Sequence, residues 1–229
     1  MKTLLLIGSL TLISHASFAD INQIDAAANT MNIAQLKQIS SQTFDYEKAY
    51  AEYRLAITAN ILGQRQLAST HLDSAQANLE QLIKRENSAD ASALLASIYG
   101  MQIAFDNSKA ATLGMKSSRL LTQAEQLDAT NPRVKLVQAI SAFNTPSIFG
   151  GGIEKAQTLA TAAITLFEAP CENICWGHAE AYTWRGLAKQ EDGDMAGAIS
   201  DWQTALTVDA QYGWAKFLLS QQTAKQVSK

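Results

Sequence analysis

Apolar side chains recur at intervals of three and four residues along most of this sequence, and that spacing confines the chain to helices. Between Tyr46 and Leu62, the residues Ala49, Tyr53, Ala56, Ile57 and Ile61 fall on one face of a 3.6-residue period. Gly63 follows, as a helix-ending residue should. A second stretch over 65–85 carries Leu67, His71, Leu72, Ala75, Leu79 and Leu82, and a third over 90–105 carries Leu94, Leu95, Ile98 and Tyr99. The same pattern predicts helices over 116–127, 132–143, 154–167, 176–190, 196–208 and 212–223, with two shorter ones over 21–31 and 33–39. Looser chain is expected at 106–114, and a loop at 145–152. Alternating β-branched runs are missing, and Pro132, Pro146 and Pro170 stand where the helical pattern stops or is about to start. Helices arriving in pairs with short connections are the mark of stacked hairpins.

The first residues read as an export signal. Lys2 precedes an uncharged apolar run through Leu4, Leu5, Leu6, Ile7, Leu10, Leu12 and Ile13, and Ser17-Phe18-Ala19 places small residues at −3 and −1 of a cleavage site. The run is short for a bilayer span, and no later segment approaches that length. The expected organisation is a signal peptide at 1–19, a helical segment at 20–45 and one repeat domain at 46–229, in a periplasmic or secreted protein. A net charge of −3 with no Lys/Arg cluster argues against nucleic acid as a partner. Both cysteines, Cys171 and Cys175, lie in Pro-Cys-Glu-Asn-Ile-Cys-Trp. In an oxidising compartment they suit a disulfide, two free thiols being the alternative. A loop this short would contribute only about 2 kcal/mol, so its work would be local, fixing how the chain enters the helix near Trp176.

One segment carries a repeat. Residues 179–210 place Tyr182 at a first large position, Gly186 where two helices cross, Ala198 at the opening of the second helix, Trp202 at its aromatic and Ala205 at its next small residue, ending in Asp209-Ala210. This segment closely resembles a tetratricopeptide repeat. Weaker echoes lie at Ala124–Ala129, Glu154–Ala163 and Gln66–Ala75, so the resemblance spans about 46–224. Two positions depart from it: Ala210 replaces a proline and Lys189 replaces an aromatic. The resemblance implies an all-α, right-handed superhelical solenoid of about four hairpins with a C-terminal capping helix near 212–223. It also implies a concave groove lined by first helices, with Glu180, Thr183, Leu187 and Gln190 facing it in the last repeat. Aligning the first pair on Ala68 and Ala75 adds Tyr50, Tyr53, Ile57 and Asn60. Repeats that clamp an acidic chain end use Lys and Asn where this chain has Thr183 and Leu187, so that ligand is not expected.

Chemistry is sparse elsewhere. His71 lies on an apolar stripe and reads as a partly buried core residue. His178 has no nucleophile at a recognisable spacing, and a structural hydrogen bond is its expected role. Gly150-Gly151-Gly152 lacks the Lys-Ser/Thr of a phosphate loop and reads as a flexible turn, with Phe149 as an apolar tip that would reach over the groove. All four tryptophans, at 176, 184, 202 and 214, fall in the C-terminal quarter, as helix-packing core or as interface anchors. No metal ligand set or cofactor motif is present. The expectation is therefore an exported binding scaffold, not an enzyme, taking a protein or peptide partner in its groove. The alternative is a small-molecule carrier or transport accessory with a pocket among the C-terminal aromatics.

Overall fold

The computed structural model describes residues 21–171 and 173–227, so the expected signal peptide lies outside the described residues. Among them are eleven α-helices: α1 (Ile21–Asn29), α2 (Ile33–Gln42), α3 (Asp45–Ile61), α4 (Arg65–Arg85), α5 (Ala89–Phe105), α6 (Ala110–Leu127), α7 (Pro132–Phe143), α8 (Ile153–Phe167), α9 (His178–Glu191), α10 (Met195–Val208) and α11 (Gly213–Val227). They form an all-α solenoid. The pairs α3–α4, α5–α6, α7–α8 and α9–α10 are antiparallel hairpins, and α11 packs on α10. First helices also stack on one another, α1 on α3, α3 on α5, α5 on α7 and α7 on α9, which lines one side of the solenoid with them.

Short polar side chains start several helices by accepting bonds from their otherwise unpaired first N–H groups. Asn32 accepts from Gln35 N at 3.0 Å, Ser88 from Ala91 N at 3.1 Å and Asp194 from Gly197 N at 2.8 Å. Asn131 accepts from Arg133 N and Val134 N ahead of α7, with Pro132 at its first position. The segment expected to be loose at 106–114 is mostly helix. A 3₁₀ turn at Asn107–Lys109 runs directly into α6, which passes through Gly114. Glycine alone does not break a helix whose Leu113, Ser117, Leu121 and Ala124 stripe is buried.

The N-terminal segment is one more hairpin. Three turns share the same backbone bonds: Met31 N to Ala28 O with Asn32 N to Ala27 O, Gly63 N to Asn60 O with Gln64 N to Ala59 O, and Gly193 N to Gln190 O with Asp194 N to Lys189 O. The middle residue of each has positive φ, at 54°, 74° and 89°. The α1–α2, α3–α4 and α9–α10 turns are thus the same helix-ending device at three points in the chain. Among the described residues, one apolar cluster reaches from α1 to α9. Ile24, Leu36, Tyr46, Leu55, Leu72, Leu94 and Leu136 are all buried in one apolar cluster.

The last repeat shows why small residues sit where they do. A Cβ on Gly186 would stand 2.5 Å from the Trp202 indole nitrogen and 3.0 Å from the Ala198 carbonyl. Trp202, Ala198 and Ala205 are fully buried there, with Tyr182 packed alongside. Trp202 Nε1 donates to the Thr183 carbonyl at 3.3 Å. Lys189 departs from the repeat pattern for a local reason. Its ammonium lies 2.9 Å from Asp201 Oδ2, and Arg185 binds the same buried carboxylate through both oxygens, at 2.6 and 2.9 Å.

Candidate functional site

The side lined by first helices is not an open trough along its length. Between α8 and α9 the chain forms a short loop in which Cys171 and Cys175 are bridged, their Cα atoms 5.7 Å apart. Arg133, paired with Asp90, donates to the Ile174 carbonyl and holds the loop down. Trp176 follows the bridge and goes inward. It is buried, stacks on Tyr50 at 5.4 Å and donates through Nε1 to the Tyr46 hydroxyl at 2.8 Å. Gly177 makes that turn at φ 107°, where any Cβ would meet Phe167 at 2.8 Å and Leu136 at 2.9 Å. The first helix of the first long hairpin and the loop that leads into the last, far apart in sequence, are thereby joined.

Helix α1 adds a second closure. Asp25 accepts from the Tyr50 hydroxyl at 2.7 Å and pairs with Arg54, whose Nη1 also donates to the Tyr50 oxygen at 3.1 Å. At the other end of α1, Asn29 donates to Asp209 at 3.1 Å, across 180 residues of sequence. The start of the described chain therefore touches the turn between α10 and α11.

Between these closures lies a cluster of electrostatically coupled side chains. Tyr53 and Arg54 enter it from α3, Glu180 and Trp184 from α9, Asp25 from α1 and Tyr212 from the turn before α11. Tyr212 is electrostatically coupled to Glu180, Arg54, Asp25 and Tyr53. Burial raises the Tyr53 and Tyr212 phenols well above their ordinary values, with the Glu180 charge adding to the shift. The Glu180 carboxyl is also raised, first by burial, with Arg54 and the Trp184 N–H pulling the other way. Burial works downward on Arg54, but Tyr50 and Asp25 more than reverse it, so it stays cationic. Yet Tyr53, Arg54, Glu180, Trp184 and Tyr212 all keep part of their surface accessible. Groups that are deep and still partly wet line a cleft rather than a packed core. Its apolar wall is aromatic: Trp184 meets Phe143 edge-on at 5.3 Å and Trp214 edge-on at 5.1 Å. Trp184 Nε1 donates to Glu180 Oε1 at 3.3 Å.

Of the residues expected in a groove, Tyr53 and Glu180 come together here, while Ile57, Leu187 and Gln190 are half-buried on the same two helices. Tyr50 and Thr183 are fully buried and face no partner. Tyr50 lies under Trp176, and Thr183 donates to the Ala179 carbonyl at 2.9 Å while its own carbonyl receives Trp202. Helix α9 is rotated so that its inward stripe runs through Trp184 in place of Thr183. Asn60 is exposed in the last turn of α3, and Phe149 is 75% exposed in the α7–α8 turn. The sequence reading missed Asp25 and Arg54, and it gave Trp184 only among the C-terminal aromatics, as helix-packing core or interface anchor. Arg54 sits beside Tyr53 on the inward face of α3, and Glu180-Trp184 has the i, i+4 spacing of a helical pair. Asp25 carried no signal, because its role depends on α1 packing against α3.

His178 stacks between Phe167 at 5.3 Å and Tyr182 at 5.5 Å, and its buried Nε2 has no partner. Burial lowers its pKa, so a stacking role replaces the expected hydrogen bond. His71 is half-buried, with Nδ1 buried and unpaired. No described helix is long and apolar enough to cross a membrane.

No protein-family model matches the sequence, and no curated protein matches it. Solved structures do. A thermophilic TPR protein of Thermus thermophilus superposes with a TM-score of 0.55 at 17% identity, covering 88% of this chain and 91% of that one. The HusA haemophore of Porphyromonas gingivalis superposes with a TM-score of 0.51 at 21% identity, covering 75% of this chain and 91% of that one. The fold is a tetratricopeptide-like helical-repeat solenoid.

Proposed function

We propose that this protein is an exported helical-repeat scaffold that binds a protein or peptide partner on its concave side, in the recess between α1, α3 and α9. One observation carries this reading: Tyr53, Arg54, Glu180, Trp184 and Tyr212 are brought from three elements to one cluster and left partly accessible there. Aromatic anchors beside a few polar groups are what a binding site of this size needs. The partner would place one side chain or one chain end in the cleft, because Trp176 and α1 leave no room for a long extended segment.

A second reading, a carrier of a small molecule, is favoured by the same enclosure and is supported by the likeness to a haemophore. Both are tested by capture from native envelope extract on immobilised protein, with mass spectrometry of retained proteins and small molecules. A stoichiometric protein lost in Tyr53→Asp supports the scaffold reading. A retained small molecule lost in the same variant, with no protein, supports the carrier. Retention unchanged in Tyr53→Asp and Trp184→Ala overturns the recess as the site.

A further inference from the structure

We infer that the recess recognises a cationic amine on an apolar stem, with Glu180 as its counter-charge and Trp184 and Tyr212 as its aromatic walls. This rests on the recess being the binding site and adds the chemistry of its occupant.

The charges of the cleft are unevenly satisfied. Asp25 is committed: it takes the Tyr50 hydroxyl and the Arg54 guanidinium together. Arg54 spends Nη1 on Asp25 and on the Tyr50 oxygen, and its Nε is sealed from solvent without a partner. The guanidinium thus has its counter-ion already, and its side chain is only 16% exposed. Glu180 is different. Its one described hydrogen bond comes from the neutral indole of Trp184 at 3.3 Å, and part of its surface faces the cleft. Of the three charges there, the acid on α9 is the one with no salt bridge among the described residues; Arg54 acts on it without touching it.

The surroundings choose the ligand further. A bare metal ion would need several oxygen ligands, and among the described residues no group of three His, Cys, Asp or Glu could hold one. A strongly hydrated ion would also gain nothing from Trp184, Trp214 and Phe143, which stand edge to face in one row. An ammonium on a hydrocarbon stem uses both features. The charge meets Glu180 and the electron-rich faces of Trp184 and Tyr212, while the stem lies along the aromatic row. The source is either a free amine or a lysine side chain of a partner protein, and the chemistry is the same.

Calorimetry or tryptophan fluorescence with purified protein at pH 8 would use three probes of one shape: 2-phenylethylammonium, 2-phenylethanol and 3-phenylpropionate. A fourth probe is a short capped alanine peptide with a central lysine. The ammonium is expected to bind at least about tenfold tighter than the alcohol, and Glu180→Gln, which keeps the acceptor for Trp184, should abolish that advantage. The advantage should also fade as pH drops and Glu180 takes a proton, in a field set by Arg54, Asp25, Tyr53 and Tyr212. Tighter binding of the peptide than of the free amine points to a partner lysine, and the reverse to a small amine. Equal binding of the three probes, or preference for the carboxylate, overturns the inference while leaving the recess as the site. No binding of any probe overturns the inference, and the recess then stands or falls on the capture experiment. An ammonium preference that survives in Glu180→Gln overturns it too.

Discussion

Asp201 carries more than its place in a surface-like helix suggests. Its carboxylate is buried and holds two cations from α9, Arg185 and Lys189. Removing one member of a buried pair leaves the others charged and without a partner. Asp201→Ala should therefore cost about 3 kcal/mol in chemical denaturation, far more than an exposed aspartate would. Lys189 had looked like a lapse in the repeat pattern, where an aromatic is usual; its partner is twelve positions along the chain but on another helix, and pairing of that kind leaves no local signal. Glu180 behaves in the opposite way. Its carboxyl is raised in the folded protein, chiefly by burial, so its contribution to stability is whole below the ordinary carboxylate pKa and is lost as pH rises through the folded value. Glu180→Gln should raise the melting temperature at pH 8 and leave it nearly unchanged at pH 4, a comparison that thermal melts at the two pH values would check.

At the scale of elements, the helices and their pairing were legible because a 3.6-residue period, Gly63 and Pro132 are local marks. Gly186 and Trp202 were legible as a crossing point because the repeat spacing fixes both. What was not legible was the rotation of α9, which brings Trp184 inward, and the duty of α1. That helix has only nine residues and would be marginal alone. It is held by Ile21, Ile24, Ala27 and Ala28 in the core and by Asp25 against Arg54 and Tyr50. Asp25→Ala should loosen it: amide exchange in α1 should quicken at least about tenfold while that in α9 and α10 stays near its original rate. Equal protection of α1 in the variant would mean that the apolar contacts alone secure it.

For the whole molecule, the bond between Asn29 and Asp209 and the stack of Trp176 on Tyr50 change what kind of object a repeat protein is. In an open array each hairpin answers only to its neighbours, and such arrays fray from their ends. Here the end of α1 also touches the turn after α10, and the loop before α9 also packs on α3. Loss of either end removes support from the other, so partial unfolding from a terminus gains little entropy before it sacrifices contacts at both ends. Denaturant unfolding followed by tryptophan emission, which reports the C-terminal quarter, and by far-ultraviolet circular dichroism, which reports every helix, should give coincident curves. A leading tryptophan transition would show that the last repeat lets go first. Coincident curves would mean that a chain assembled from serial, interchangeable parts behaves as a hoop, its early and late helices giving way together.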